Sequence, residues 1–141
     1  MSADTLKVNC INKNISYLFH HKGNAGYDLY STKTIWIFPF MIRKIPLNLK
    51  VELKERTMGF VTSRSGETLK GNIVIPGIID PNYRGQLSAL VTRVGLLPRR
   101  IKKGTRIAQM LIIPFKEYNV EIAELSPSSR GEKGFGSSGK Y

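Results

Sequence analysis

Four short segments carry residue types that suit a charged, ring-bearing ligand. GIIDPNYRGQL (77–87) ends an apolar run in Asp80, turns through Pro81 and Asn82, and brings Tyr83 three residues after the acid. A carboxylate at a strand end acts as a general base when it is held near a water, and a tyrosine packs against a ring or a sugar. The same letters also fit an ordinary turn in which the Asp caps the backbone. SRSGET (63–68) offers the planar donor fork of Arg64, the hydroxyl of Ser65 and the uncrowded backbone N–H of Gly66, a seat for phosphate, although most such tripeptides are plain turns. GTRIAQML (104–111) puts Gln109 on an apolar strand, sharing a face with Ile107 while Ala108 and Met110 share the other. A buried amide there needs a partner; an exposed one does not. RGEKGFGSSG (130–139) combines Arg130, four glycines including Gly136, the hydroxyls of Ser137 and Ser138, and Phe135. Glycines let backbone N–H groups approach an anion closely, and Phe135 gives a flat face for a base. A plain disordered tail is the alternative reading. As a set, three anion-binding segments, one carboxylate and two aromatics fit a nucleoside triphosphate, which has a charged tail, a sugar and a ring.

These residues need strands to hold them. The runs 6–11, 26–31, 34–40, 41–53, 57–63, 72–79, 86–94, 106–115 and 119–125 are short, rich in Ile, Val, Tyr and Phe, and separated by turn residues drawn from 13 Gly and 7 Pro. Several alternate, as in Ile35-Trp36-Ile37-Phe38 and Val120-Glu121-Ile122-Ala123. Only residues 64–71 suit a helix, and a short one, since no window keeps a 3.6-residue apolar period. The pattern predicts an all-β fold, a jelly-roll-like barrel or double sheet with one short helix at most. With 141 residues the chain fits one domain. Residues 1–125 form the β domain. Residues 126–141 turn Gly/Ser-rich and basic, and read as a flexible C-terminal arm.

Composition bounds the rest. The one cysteine, Cys10, makes no internal disulfide and no Cys-based zinc site, and points to a reducing compartment. The opening residues lack a basic start followed by an apolar run, so no signal peptide is expected. No stretch approaches about 18 apolar residues, so no membrane span is expected. The expected location is intracellular, cytoplasmic or nuclear. The 22 Lys and Arg against 10 Asp and Glu give a net charge of +12, a balance that suits either a polyanionic partner or a merely solvated basic surface.

With these residues in hand, the chain resembles the trimeric dUTP pyrophosphatases, or dUTPases. The likeness runs in order from about residue 23 to 139. NAGYDLYS (24–31) is similar to the first family motif, RSG (64–66) to the second, GIIDPNYRGQL (77–87) to the third, GTRIAQM (104–110) to the fourth and RGEKGFGSSG (130–139) to the fifth. The resemblance implies a jelly-roll-like subunit, a homotrimer with active sites at subunit interfaces, and hydrolysis of dUTP to dUMP and pyrophosphate. It implies Mg²⁺ carried mainly by the triphosphate, with no metal ligand set in the protein. Asp80 is then the base that orients water, and Tyr83 lies under the deoxyribose. The hairpin strand carrying Val74, Gly77, Ile78 and Ile79 reads uracil through its backbone. Arg64, Ser65, Gly66 and Gln109 hold phosphates, with Asp28 behind them near Arg64 and the metal. From the arm, Phe135 covers uracil while Arg130, Gly136, Ser137 and Ser138 hold the γ-phosphate.

The chain departs from the family pattern at a few positions. Glu67 and Thr68 follow RSG where apolar or small residues are usual, and a carboxylate near phosphates weakens binding unless it faces away. Pro76 stands in the uracil hairpin where a small residue is usual, and Ser138 replaces a Thr. Three other readings compete. The related dCTP deaminases place a catalytic Glu ten residues after the matching Asp; here that position is Leu90. The run 93–106 has six basic residues and no acid, which suits a phosphate-backbone patch of a nucleic-acid-binding module; a solvated loop and strand end is the favoured reading. A catalytically inactive member acting only as a binder is the third.

Overall fold

The structure, a computed structural model, describes residues 4–140; residues 1–3 of the β domain and Tyr141 of the arm lie outside the described residues. The β-rich runs form strands β1 (Lys7–Cys10), β2 (Leu18–Phe19), β3 (Tyr27–Tyr30), β4 (Ile35–Ile37), β5 (Arg43–Pro46), β6 (Leu49–Glu52), β7 (Thr57–Ser63), β8 (Asn72–Ile75), β9 (Gly77–Ile79), β10 (Ser88–Arg93), β11 (Arg99–Ile101) and β12 (Arg106–Pro114). The single helix among the described residues, α1 (Ser65–Leu69), falls in the one segment expected to hold one. Every pairing between these strands is antiparallel. The largest sheet runs β2-β3-β12-β7-β9, a second runs β5-β10-β8, and β1-β6 and β11-β4 form two-stranded ribbons. This is the jelly-roll-like all-β architecture expected.

Alternation decides which way each strand faces. In β6, Leu49 and Val51 are buried while Lys50 and Glu52 are exposed; in β4, Ile35 and Ile37 point in and Trp36 points out. The inward residues of all sheets meet in one core, with Leu29, Ile37, Ile45, Leu47, Leu87, Ile107 and Met110 fully buried. Burying such side chains stabilises the fold by about 1.5–3 kcal/mol each.

The structure corrects four expectations. Residues 119–125 are not a strand: among the described residues no strand follows β12, and Val120, Ile122 and Leu125 are fully exposed. Their alternation is strand-like, but among the described residues no strand pairs with them. The run 41–53 breaks at Leu47-Asn48 into β5 and β6, which lie in different sheets. The run 72–79 is not one strand either; it breaks at Pro76 into β8 and β9. Pro76 has no N–H to give a ladder, and the chain turns there from β8, paired with β10, to β9, paired with β7. Strict alternation in β12 fails as well. A register shift between Arg106 and Ala108 lets both Ile107 and Ala108 point into the core. Two short strands, β2 and β11, had no clear signal; β11 lies in the basic run and is held by pairing with β4.

Candidate active site

The phosphate-type residues gather where three strands of the large sheet run side by side. β12 lies between β3 and β7, and the register sets Gln109 opposite Asp28 on one side and Thr62 on the other. Asp28 is the hub. Its Oδ1 lies 3.1 Å from Nε of Arg64, and its Oδ2 accepts from Nη1 of Arg106 at 3.2 Å. Arg64 also donates through Nη1 to the Arg106 carbonyl at 2.9 Å. The Asp28 side chain is only 18% exposed, so these pairs are shielded and geometrically fixed. Two guanidinium groups against one carboxylate leave a local surplus of positive charge, aimed by Asp28 and suited to an anion. Arg106, whose guanidinium also lies 4.6 Å over the Phe19 ring, was not singled out from the sequence. Its signal was there: a basic residue inside the fourth motif-like segment, two residues after Gly104.

Gln109 has the partner that its setting demanded. Its Nε2 donates to the Ser63 carbonyl at 2.8 Å. Gly26 makes this possible, because a Cβ at residue 26 would collide with Gln109 Oε1. This explains a glycine of the first motif-like segment on packing grounds. Ser65 and Gly66 follow Arg64 on the exposed start of α1, and nothing stands within 4 Å of where a Gly66 Cβ would be. Glu67, by contrast, is 6% exposed and points into the protein. It presents no carboxylate to the open side of this segment.

The residues expected around base and sugar form a second group. β9 is an edge strand, bonded to β7 on one side only, so its outer edge offers backbone donors and acceptors. Asp80 follows β9 directly and is exposed. The Tyr83 N–H donates to the Asp80 carbonyl at 3.1 Å, closing the Pro81-Asn82 turn, and the Tyr83 hydroxyl donates to the Gln86 carbonyl at 3.1 Å. Tyr83 also fills the space beside Gly85, where any Cβ would meet its ring. Asp80 and Tyr83 thus line a cavity of about 240 Å³ with Ile78, Ile79, Gln86 and Lys44. Val74 stands apart from this group. Its side chain is in the core, and its N–H donates to the Ser63 hydroxyl at 2.8 Å.

The two groups are not adjacent within one chain. Ile79 pairs with Gly59, so Asp80 stands beside Met58, whereas Arg64 follows the other end of β7. Six residues of extended chain separate those positions, about 20 Å at 3.3 Å per residue. The 240 Å³ cavity includes neither Arg64 nor Gln109. From the arm, Phe135 is fully exposed, and Arg130 is engaged locally, its Nε donating to the Lys133 carbonyl at 2.7 Å. The chain presents two separate half-sites.

Comparison with known proteins bears on these halves. The family model described as dUTPase matches residues 14–139. A deoxyuridine 5'-triphosphate nucleotidohydrolase of Clostridium kluyveri is 40% identical over 139 residues, covering 95% of this chain and 97% of the relative. One of Clostridium tetani is 36% identical over 145 residues, covering 99% and 100%. Among solved structures, the dUTPase of Staphylococcus bacteriophage 80alpha with dUpNHpp superposes with a TM-score of 0.88 at 32% identity, covering 98% of this chain and 100% of that one.

Proposed function

The chain belongs to the dUTPase family, and from that premise we propose that it hydrolyses dUTP to dUMP and pyrophosphate at sites shared between subunits of a homotrimer. One observation carries the shared site: Asp80 and Arg64 lie at opposite ends of β7, about 20 Å apart along the strand. Reaction at the α-phosphorus needs the base and the phosphate cradle together, so one chain supplies Asp80 and another supplies Arg64. The family's closed trimer, with identical heterologous interfaces, provides three such pairings.

In this reading the uracil edge lies along the open backbone edge of Gly77–Ile79, where Ile78 and Ile79 supply apolar contact. Val74 serves the same strand corner from behind. Tyr83 packs under the deoxyribose, which leaves a 2′-hydroxyl no room. Arg64, Ser65, Gly66 and Gln109 of a neighbour hold the phosphates, and Asp28 fixes Arg64 through its 3.1 Å pair. The arm of residues 126–141 then closes the site. Phe135 stacks on uracil, and Arg130, Gly136, Ser137 and Ser138 hold the γ-phosphate. The exposure of residues 126–140 in the single chain fits a segment whose partner surface lies on another subunit.

Asp80 accepts the proton of one water, whose oxygen forms a bond to the α-phosphorus. The bond from that phosphorus to the oxygen bridging to the β-phosphate breaks, and pyrophosphate leaves. The donor set near the phosphates is two guanidiniums, an amide, a hydroxyl and one carboxylate already paired to both arginines. That set fits a substrate that would bring Mg²⁺ on its own oxygens, with Asp28 the carboxylate of the cradle. Mg²⁺ held this way supplies charge neutralisation along the triphosphate.

The basic run 93–106 is less of a surface than its composition suggested. Arg93 is buried and Arg106 is paired with Asp28, which leaves four of the six basic residues to solvent and weakens the nucleic-acid reading. The deciding measurement is pyrophosphate release from dUTP, dCTP, dTTP and UTP, with and without Mg²⁺. Mg²⁺-dependent release from dUTP alone is expected; release from none of the four, or from dCTP in preference, sinks the proposal.

A further inference from the structure

Behind the Arg64–Gly66 segment lies a buried polar cluster that the chemistry above leaves unused. Glu67, Asn72 and Arg93 are 6%, 1% and 9% exposed. Asn72 Nδ2 donates to Glu67 Oε2 at 2.8 Å. Arg93 Nη1 donates to Asn72 Oδ1 and to the Lys70 carbonyl, both at 2.8 Å. Arg93 Nε donates to the Leu97 carbonyl at 2.6 Å, and Lys70 Nζ lies 3.4 Å from Glu67 Oε1. Among the described residues no buried side-chain nitrogen or oxygen lacks a partner, so the cluster is fully satisfied.

Its placement ties one end of α1 to the sheet. Gly71, at φ 88°, follows the helix, and the Val94 N–H donates to its carbonyl at 2.8 Å. A Cβ there would strike the Val94 carbonyl. The end of β10 therefore grips the turn after α1, while Glu67 is gripped within the helix. α1 is five residues long and follows Arg64 directly. A helix so short moves as one piece, so a hold at residues 67–71 also sets where Ser65 and Gly66 stand. A carboxylate is a costly way to fill space, since an apolar side chain of similar size packs more cheaply. What the carboxylate adds is directional: it accepts from Asn72 in one geometry only, and so fixes the rotation of the helix.

We propose that Glu67 is a positioning residue, which through Asn72 and Arg93 holds the phosphate-binding segment Arg64–Gly66 in register with the bound triphosphate. The inference rests on the reading of that segment as the phosphate cradle. It turns a departure from the family pattern into a compensated one, with Glu67 facing inward and its partners supplied by β8 and β10.

The test separates phosphate binding from fold. Affinities for dUpNHpp and for dUMP, which lacks the β- and γ-phosphates, are measured by calorimetry on the full chain, beside thermal unfolding and KM and kcat for dUTP. Glu67→Leu removes the acceptor; Glu67→Gln keeps one oxygen for Asn72. For Glu67→Leu, dUpNHpp is expected to bind about tenfold more weakly and KM to rise in parallel, while dUMP affinity changes less than about threefold. Glu67→Gln is expected to restore dUpNHpp affinity. If Glu67→Leu fails to fold, Glu67→Ala removes the same acceptor without added bulk and carries the same expectation. A folded Glu67→Leu or Glu67→Ala variant with unchanged dUpNHpp affinity overturns the proposal. So does an equal loss for dUMP and dUpNHpp, which marks a structural role only. Arg64→Ala is the control: if it leaves dUpNHpp affinity unchanged, the phosphate-cradle reading itself fails, whatever Glu67 does.

Discussion

Two inactive variants should make one active enzyme. Asp80→Asn removes the proposed base and leaves Arg64; Arg64→Ala removes the phosphate fork and leaves Asp80. Each alone is expected to lose about 10²-fold or more in kcat. The two residues flank opposite ends of β7, about 20 Å apart along the strand, whereas a triphosphate spans only two bridging oxygens between its end phosphorus atoms. A working site therefore draws Asp80 and Arg64 from different chains. In trimers assembled at random from equal amounts of the two variants, a site finds an intact Asp80 half the time. It finds an intact Arg64 on the neighbouring chain half the time, independently. About one quarter of the sites should be intact, and the mixture should recover about a quarter of the wild-type rate. Pyrophosphate release after co-expression or joint refolding measures this, with the separately refolded variants as baselines. Recovery rising with the mixing ratio and peaking at equal amounts is the expected pattern. No recovery from a mixture shown by mass to contain mixed trimers refutes the shared site, and with it the spacing argument that produced it.

Three further outcomes follow from the same geometry. Ending the chain after Leu125 should lower dUTP hydrolysis by about tenfold or more while leaving the oligomer intact by light scattering, because it removes the proposed uracil cover Phe135 and the γ-phosphate donors; full activity in the truncated protein would remove the arm from the site. Tyr83→Ala should bring UTP closer to dUTP in kcat/KM, and an unchanged ratio would count against the sugar contact. Gly26→Ala should displace the Gln109 amide from the Ser63 carbonyl, costing roughly 1 kcal/mol in stability and several-fold in kcat/KM. Wild-type values of both in that variant would show that Gln109 is not needed where the structure puts it.

Much of this architecture was legible in the sequence because strand signals are local. The run 57–63 became β7 without change, and the one helix fell where the apolar alternation lapsed. What escaped detection depended on partners far along the chain. Residues 119–125 have the alternation of a strand but no edge to bond, and alternation says nothing about whether an edge exists. Arg106 looked like one more basic residue of a charged run until β12 paired with β3 and set it against Asp28. Pro76 and Glu67 show the same limit from the other direction. Each broke a local pattern, and each break is absorbed by a contact that only the folded chain creates. A proline that denies the ladder its N–H costs nothing at a corner where the strand is leaving one sheet for another. A carboxylate that would repel phosphates on the open face of α1 is harmless once Asn72 and Lys70 receive it on the closed face. Asn72 and Arg93 read as unremarkable strand residues in the sequence, yet they decide which way Glu67 faces. Departures from a family pattern are therefore better judged as sets: if the cluster works as a unit, replacing Glu67, Asn72 and Arg93 together by a packed apolar set should be tolerated better than the loss of Asn72 alone, which leaves Glu67 and Arg93 buried with an acceptor and a donor unmet.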